Sequence, residues 1–235
     1  MAFYEYSNQP NRGFLSSAPK VTRTIIIINI FFYIATIINK NAMIENFALF
    51  YPTSHFFRFW QPLTHMFMHG GFFHVLINMY MLYMFGSVVE NVIGTKKFLV
   101  FYFICGFGAA ALHTGVEYMQ LQSYMEGAAL GNQMSLRQIS LMKVTPTVGA
   151  SGAIYGILIA YAMLFPQSRM TLLFPPITLS AKSMTLLFIG IELLTGLSGS
   201  GGNIAHFAHL GGALFGFLLI KYWRSRGTLF DKYRF

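Results

Sequence analysis

The sequence predicts an all-α integral membrane protein of six spanning helices, on three observations. Hydrophobic residues fill 55% of the 235 positions and charged residues only 10%, with mean hydropathy +0.54. A water-soluble domain carries roughly a quarter charged residues, so this chain lacks the polar surface to face water. Apolar runs long enough to cross a bilayer fall at about 22–39, 72–93, 97–116, 148–165, 181–197 and 203–222. Threading those runs alternately sorts the basic residues to one side. Arg12, Lys20, Arg23, Lys96, Lys97, Arg169, Lys182, Lys221, Arg224, Arg226, Lys232 and Arg234 share the side of both termini, against Lys40, Arg58, Arg137 and Lys143 on the other. That bias assigns the termini to the cytoplasm.

The same residues bound the possible functions. The net charge of +9 is spread over short loops and tails, so it reads as a topology signal and not as a nucleic-acid face. Cys105 is the single cysteine and lies in an apolar run; there is no disulfide framework, and the thiol reads as a small core hydrophobe. Residues 1–20 are polar and no A-x-A site follows the first apolar run, which is therefore expected to be a retained span.

Taken in order, the chain divides into a cytoplasmic tail at 1–21, a six-helix domain at 22–222 and a basic cytoplasmic tail at 223–235. The first outer segment, roughly 40–71, is crowded with Phe47, Phe50, Tyr51, Phe56, Phe57, Phe59, Trp60 and Phe67. Such rings favour the membrane interface, so short helices half-buried beside the bundle are expected. The second outer segment, about 117–147, is long and mixed and carries no evident chemistry. Pro166, Pro175 and Pro176 punctuate the inner segment 166–180 and predict an extended path. Ser198-Gly199-Ser200-Gly201-Gly202 is short and flexible enough to act as a lid.

Polar residues inside a bilayer are costly and therefore mark function by default. With this topology the second, fourth and sixth spans all start at the outer face. The second has His69 just before it, with His74 and Asn78 near its start. The fourth carries Ser151 near its start, and the sixth carries Asn203, His206 and His209. Serine, histidine and asparagine thus gather at similar depth on one side. His74 and Asn78 are four apart and share a helix face, as do Ser151 and Tyr155.

Gly149-Ala150-Ser151-Gly152 has two readings. Gly152, Gly156 and Ala160 form a small-residue face for close helix packing, or small neighbours let a substrate backbone reach a nucleophilic serine. The sixth span offers Ala205, Ala208, Gly212 and Gly216 on or beside the face of His209. If the two small faces dock, both readings hold and His209 meets Ser151.

Other intramembrane chemistries are removed by inspection. The only aspartate, Asp231, is in the C-terminal tail, so no aspartyl dyad forms in the bilayer; no H-E-x-x-H occurs. Gly149–Ala153 is not a G-x-S-x-G elbow. A metal site from His65, His69, His74, His206 and His209 lacks an accompanying carboxylate or any spacing that fixes a geometry; no metal or cofactor is expected. His65 and His69 read as structural loop histidines, and His206 as a packing or hydrogen-bonding residue. Glu192 has no evident partner in sequence, is expected to be protonated or bonded to a neighbouring helix, and receives no catalytic role; His113 is unassigned.

On G-x-S-G at 149–152, A-H-x-x-G at 208–212, His69-x4-His74-x3-Asn78 and Glu90-x3-Gly94, the chain resembles the rhomboid intramembrane serine proteases of the bacterial six-helix type. The likeness runs from about 22 to 222. It departs in the first outer loop, where Trp60-Gln61 stands in place of the family's frequent Trp-Arg. The resemblance implies a rhomboid bundle with a Ser–His dyad and no acidic third member. Ser151 would be the nucleophile and His209 its base. Tyr155 would orient His209, and His74, Asn78 and the Ser151 N–H would meet the oxyanion. Gly149 and Gly152 would be the glycines of the active site. The expected substrates are transmembrane segments of single-pass or polytopic membrane proteins, cut near the outer leaflet, with the lipid bilayer as the other partner and no nucleic acid. A bacterial inner membrane is the expected location. The alternative is a catalytically silent rhomboid-like protein that binds membrane clients.

Overall fold

The computed structural model describes residues 17–172, 175–198 and 204–230. It is a helical bundle. Helix α1 is Lys20–Ile38, followed by α2 (Lys40–Phe47), α3 (Gln61–Thr64) and a 3₁₀ turn at His65–Phe67. Helices α4 (Phe72–Met81) and α5 (Ser87–Ile93) are joined by a π turn at Leu82–Gly86. Then come α6 (Thr95–Ala129), α7 (Gln133–Val144), α8 (Ser151–Leu164), α9 (Ala181–Ser198) and α10 (Ile204–Ser225).

Every predicted span has a helix. Among the described residues, Lys20–Ile38, Phe72–Ile93, Thr95–Ala129 and Ala181–Ser198 are long and apolar enough to cross a membrane, and Ser151–Leu164 is apolar but shorter. The outward surfaces agree: Phe31 is 66% and Ile38 is 80% exposed, which suits contact with lipid. Two polar side chains within α1 donate back to their own helix. Asn29 Nδ2 donates to Ile25 O and Thr36 Oγ1 to Phe32 O, both at 2.8 Å, so these buried donors are paired within the helix.

Helix α6 is central. Phe98, Phe101 and Tyr102 are fully buried on it, and it packs along α10 and α8. The contact between α8 and α10 is backbone on backbone. A Cβ at Gly212 would overlap the Gly152 carbonyl, and one at Gly216 would stand 2.7 Å from Gly156 Cα. The two small-residue faces dock, and Cys105 Sγ fills the space behind Gly156.

The start of α1 is closed by a residue from α5. Its first N–H groups have no intrahelical acceptor. Glu90 Oε1 accepts from Val21 N at 3.0 Å, and Oε2 from Thr22 N at 2.7 Å and Thr22 Oγ1 at 2.8 Å. Beyond α10, Leu229 is buried, and Thr228 O accepts from Lys97 Nζ.

Three connections differ from or refine the expectation. The segment 117–147 is not an open loop. Helix α6 runs on to Ala129 and α7 follows, because loss of hydropathy at Glu117 removes the lipid-facing signal without removing helix propensity. The extended path predicted for the inner segment includes a short antiparallel hairpin, Arg169–Thr171 (β1) against Thr178–Ser180 (β2). The first loop does contain short helices, and Gln61 anchors it where an arginine was missed. Gln61 is fully buried, accepts from Phe50 N and donates to Glu45 O and Phe56 O. Of the predicted lid at 198–202, Ser198 ends α9; residues 199–202, and Asn203, lie outside the described residues.

Candidate functional site

Ser151 opens α8, directly after a segment clamped from three sides. Leu49 and Thr147 exchange backbone hydrogen bonds at 2.9 and 2.8 Å. The Thr147 hydroxyl lies 2.8 Å from His113 Nε2, and Gly149 N donates to His65 O at 2.9 Å. Gly149 has φ +138°, which L side chains rarely adopt. A Cβ there would also stand 3.1 Å from His74 Nε2 and 3.3 Å from Ser151 Oγ. Only glycine keeps that space open, and the two polar atoms face it together.

His209 comes from the second turn of α10. The close approach of Gly212 to Gly152 brings its Nε2 to 2.8 Å from Ser151 Oγ. Tyr155, one turn below the serine on α8, stacks on the imidazole with ring centroids 4.4 Å apart and planes 8° from parallel. The structure therefore brings together Ser151, His209 and Tyr155 as their spacing suggested.

His74 and Asn78 line the same space but bond elsewhere. His74 Nδ1 accepts weakly from Gly70 N at 3.4 Å, which leaves Nε2 as the protonated nitrogen facing the cavity. Asn78 Nδ2 donates to the His74 carbonyl on its own helix at 2.8 Å. A cavity of about 380 Å³ lies over these groups, lined by Phe73, His74, Ile77 and Asn78 of α4, Ser151 and Tyr155 of α8, Phe188 of α9 and His209. Phe73 and Ile77 are largely exposed on their other sides, so the cavity borders the lipid-facing surface between α4 and α9. A second recess of about 30 Å³ lies behind Ser151, bounded by His65, Thr147, Gly149, Gly152 and His209.

His65 and His69 are buried supports. His65 Nδ1 is 3.0 Å from Gln61 O, and burial pushes its pKa down to about 4. The His69 ring meets His74 edge-on at 4.9 Å; burial first, and His74 second, lower its pKa to about 3.

The residue that sequence reasoning passed over is Glu192. It lies on α9, 8% exposed, and three side chains converge on it. Oε1 is 2.9 Å from His209 Nδ1 and also accepts from the Tyr155 hydroxyl; Oε2 is 2.6 Å from His206 Nδ1. Of the two expectations, protonated or bonded to a neighbouring helix, the structure shows the second: its partners come from two other helices. A signal was present, because an acid at membrane depth needs donors and the tyrosine and two histidines are among those at that depth. His113, unassigned from sequence, holds Thr147 and lies 3.6 Å from Glu117 Oε2. Among the described residues no group of three or more His, Cys, Asp or Glu side chains is arranged to hold a metal ion.

Chemically, the arrangement offers a hydroxyl against an imidazole nitrogen, with donors across a cavity. A family model described as Rhomboid domain matches residues 57–226. The human presenilin-associated rhomboid-like protein, mitochondrial, is 31% identical over 169 residues, which cover 69% of this chain and 39% of that protein. The bovine protein is 30% identical over the same shares. The rhomboid protease GlpG of Yersinia pestis is 27% identical over 218 residues, 91% of this chain and 66% of that one. The chain thus spans 39% of the length of the mitochondrial relatives it matches.

Proposed function

The chain belongs to the rhomboid family, and from that premise we propose that it is an intramembrane serine endopeptidase that cuts transmembrane segments of other membrane proteins. The carrying observation is the 2.8 Å contact between His209 Nε2 and Ser151 Oγ, inside a cavity that borders lipid. The working unit is 22–222, with Ser151 as nucleophile and His209 as base.

As Ser151 Oγ attacks the scissile carbonyl carbon, its proton passes to His209 Nε2. The carbonyl oxygen becomes an oxyanion. The Ser151 N–H at the start of α8, the His74 Nε2–H and the Asn78 amide are the donors placed to meet it. A donor of this kind contributes about 3 kcal/mol in the transition state. The imidazolium then gives its proton to the departing amine as the C–N bond breaks, leaving an acyl group on Ser151. Water attacks that ester with His209 again as base. The 30 Å³ recess behind Ser151 has room for one water molecule.

The substrate side follows from backbone chemistry. A transmembrane helix hides each carbonyl in an i to i−4 hydrogen bond, so cleavage requires local unwinding. Segments with glycine or other helix-weakening residues are preferred, with a small residue before the scissile bond. Access is lateral, between α4 and α9, over Phe73, Ile77 and Phe188. The proposed host is a bacterial inner membrane, and the basic-residue bias supports both termini in the cytoplasm with the site toward the other face.

A fluorophosphonate probe tests this without a known substrate. Detergent-purified wild type is expected to label, and Ser151→Ala and His209→Ala are expected not to. Labelling that persists without His209, or folded wild type that never labels, removes the dyad.

A further inference from the structure

Ser151, His209 and Glu192 form one chain of contacts across α8, α10 and α9. Ser151 Oγ is 2.8 Å from His209 Nε2, and His209 Nδ1 is 2.9 Å from Glu192 Oε1. Both nitrogens of the imidazole are therefore engaged, one by the hydroxyl and one by a carboxylate. The carboxylate is itself fixed. The Tyr155 hydroxyl donates to Oε1, and His206 Nδ1 holds Oε2 at 2.6 Å. His206 Nδ1 is also 3.2 Å from Thr195 Oγ1, which lies one turn on from Glu192. Tyr155 contributes twice, since its ring stacks on His209 while its hydroxyl binds the acid.

We propose that Glu192 is a positioning residue of the reaction, which makes this site a Ser–His–Glu triad and not a dyad. The proposal rests on the endopeptidase reading. A carboxylate on Nδ1 keeps the proton there and leaves the Nε2 lone pair toward the serine. When Ser151 Oγ bonds to the carbonyl carbon, its proton moves to Nε2 and the ring becomes cationic. The Nδ1 proton stays on nitrogen, hydrogen-bonded to Glu192, and the negative carboxylate faces the new positive charge. That proton goes from Nε2 to the leaving amine, and the ring returns to its starting tautomer. Glu192 gains and loses nothing.

The bland reading is that Glu192 only fastens α9 to its neighbours. It predicts a loss of stability and no specific effect on the chemical step. The two readings separate in one set of measurements on the full chain in detergent, using a transmembrane substrate with a glycine-weakened helix. Glu192→Gln keeps the shape but can donate an amide N–H to Nδ1, which stabilises the wrong tautomer. Its kcat is expected to fall by roughly 10²-fold or more, with KM and the thermal midpoint near wild type. Glu192→Asp is expected to recover part of that kcat. Equal kcat in wild type and folded Glu192→Gln overturns the proposal while leaving the dyad intact. Wild type that neither labels with fluorophosphonate nor cuts removes the premise itself.

A spectrum that needs no Glu192 variant decides the case if the glutamine variant does not fold. In protein ¹⁵N-labelled at histidine, a downfield proton bonded to Nδ1 of His209 is expected, assigned by its loss in His209→Ala. Finding the proton on Nε2, with Nδ1 bare, overturns the proposal.

Discussion

Glu90 and Glu192 are both carboxylates shut away in the bundle, 1% and 8% exposed, and both tie one helix to another. Their donors differ in kind. Glu90 takes two backbone N–H groups and one hydroxyl at the start of α1. Glu192 takes two imidazoles and a phenol. Main-chain donors keep their protons at any ordinary pH, so they can only hold a shape. Imidazoles exchange protons near neutrality, so the same carboxylate among them can take part in a reaction. What surrounds a buried acid is therefore more informative than its burial.

The contrast can be broken most severely at the reacting atoms. Ser151→Ala and His209→Ala are expected to lose cleavage by roughly 10⁴-fold or more, with the thermal midpoint little changed; residual turnover above that level in either variant would move the nucleophile elsewhere. A weaker break separates the two acids. Glu192→Gln should lower kcat and spare stability, as argued above, whereas Glu90→Gln should spare kcat per folded molecule. The latter weakens a buried charged cap and is expected to cost about 1.5–3 kcal/mol. Paired melting curves and turnover numbers for the two variants check the crossing pattern, and parallel losses in both would erase the distinction.

Packing supplies the next test. Gly212→Ala drives a Cβ into the Gly152 carbonyl, and neither backbone can yield without parting α8 from α10. A loss of about 1–3 kcal/mol is expected, together with reduced fluorophosphonate labelling, because His209 moves with the helix. Unchanged labelling in this variant would show that the small-residue face does not set the catalytic distance.

The smallest effect concerns histidines remote from either acid. His65 and His69 are held near 4 and 3, below the ordinary 6.5, so the unfolded chain binds more protons between those values. Their contribution to stability is complete above about 6.5 and is lost as pH falls toward the folded values. From pH 7 to 6 the loss is under about 1 kcal/mol for each ring. Thermal melts over pH 4–7, with His65→Asn as the comparison, check the sign; a midpoint rising with acid contradicts it.

Most of the bundle and the pairing of Ser151 with His209 were legible in the sequence. Hydropathy marks the helices, and Gly152 and Gly212 advertise the close contact that sets the distance. Glu192 was not legible as a partner because 37 residues separate it from Tyr155 and 17 from His209. Depth, however, was available. Glu192 lies six residues before the end of α9 and His209 five after the start of α10, about 9 and 7.5 Å of rise on antiparallel helices. Pairing polar residues by depth, and not by motif, would have joined them. The long helical run through 117–144 escaped for another reason: hydropathy reports the solvent beside a helix, and α6 continues after that solvent changes.

Helix α8 has 14 residues and α6 has 35, rises of about 21 and 52 Å. A bilayer's hydrocarbon core is about 30 Å thick. The apolar run of α6 ends before Glu117, so the rest of its length stands beyond the hydrocarbon, and the shortfall belongs to α8 alone. Most of α8 is buried among its neighbours, so its shortfall of about 9 Å leaves the outer end of the bundle interior open for water to reach down to Ser151. The acyl-chain length of the host membrane thus becomes a variable of the chemistry, since it sets how far down water must travel to finish the reaction.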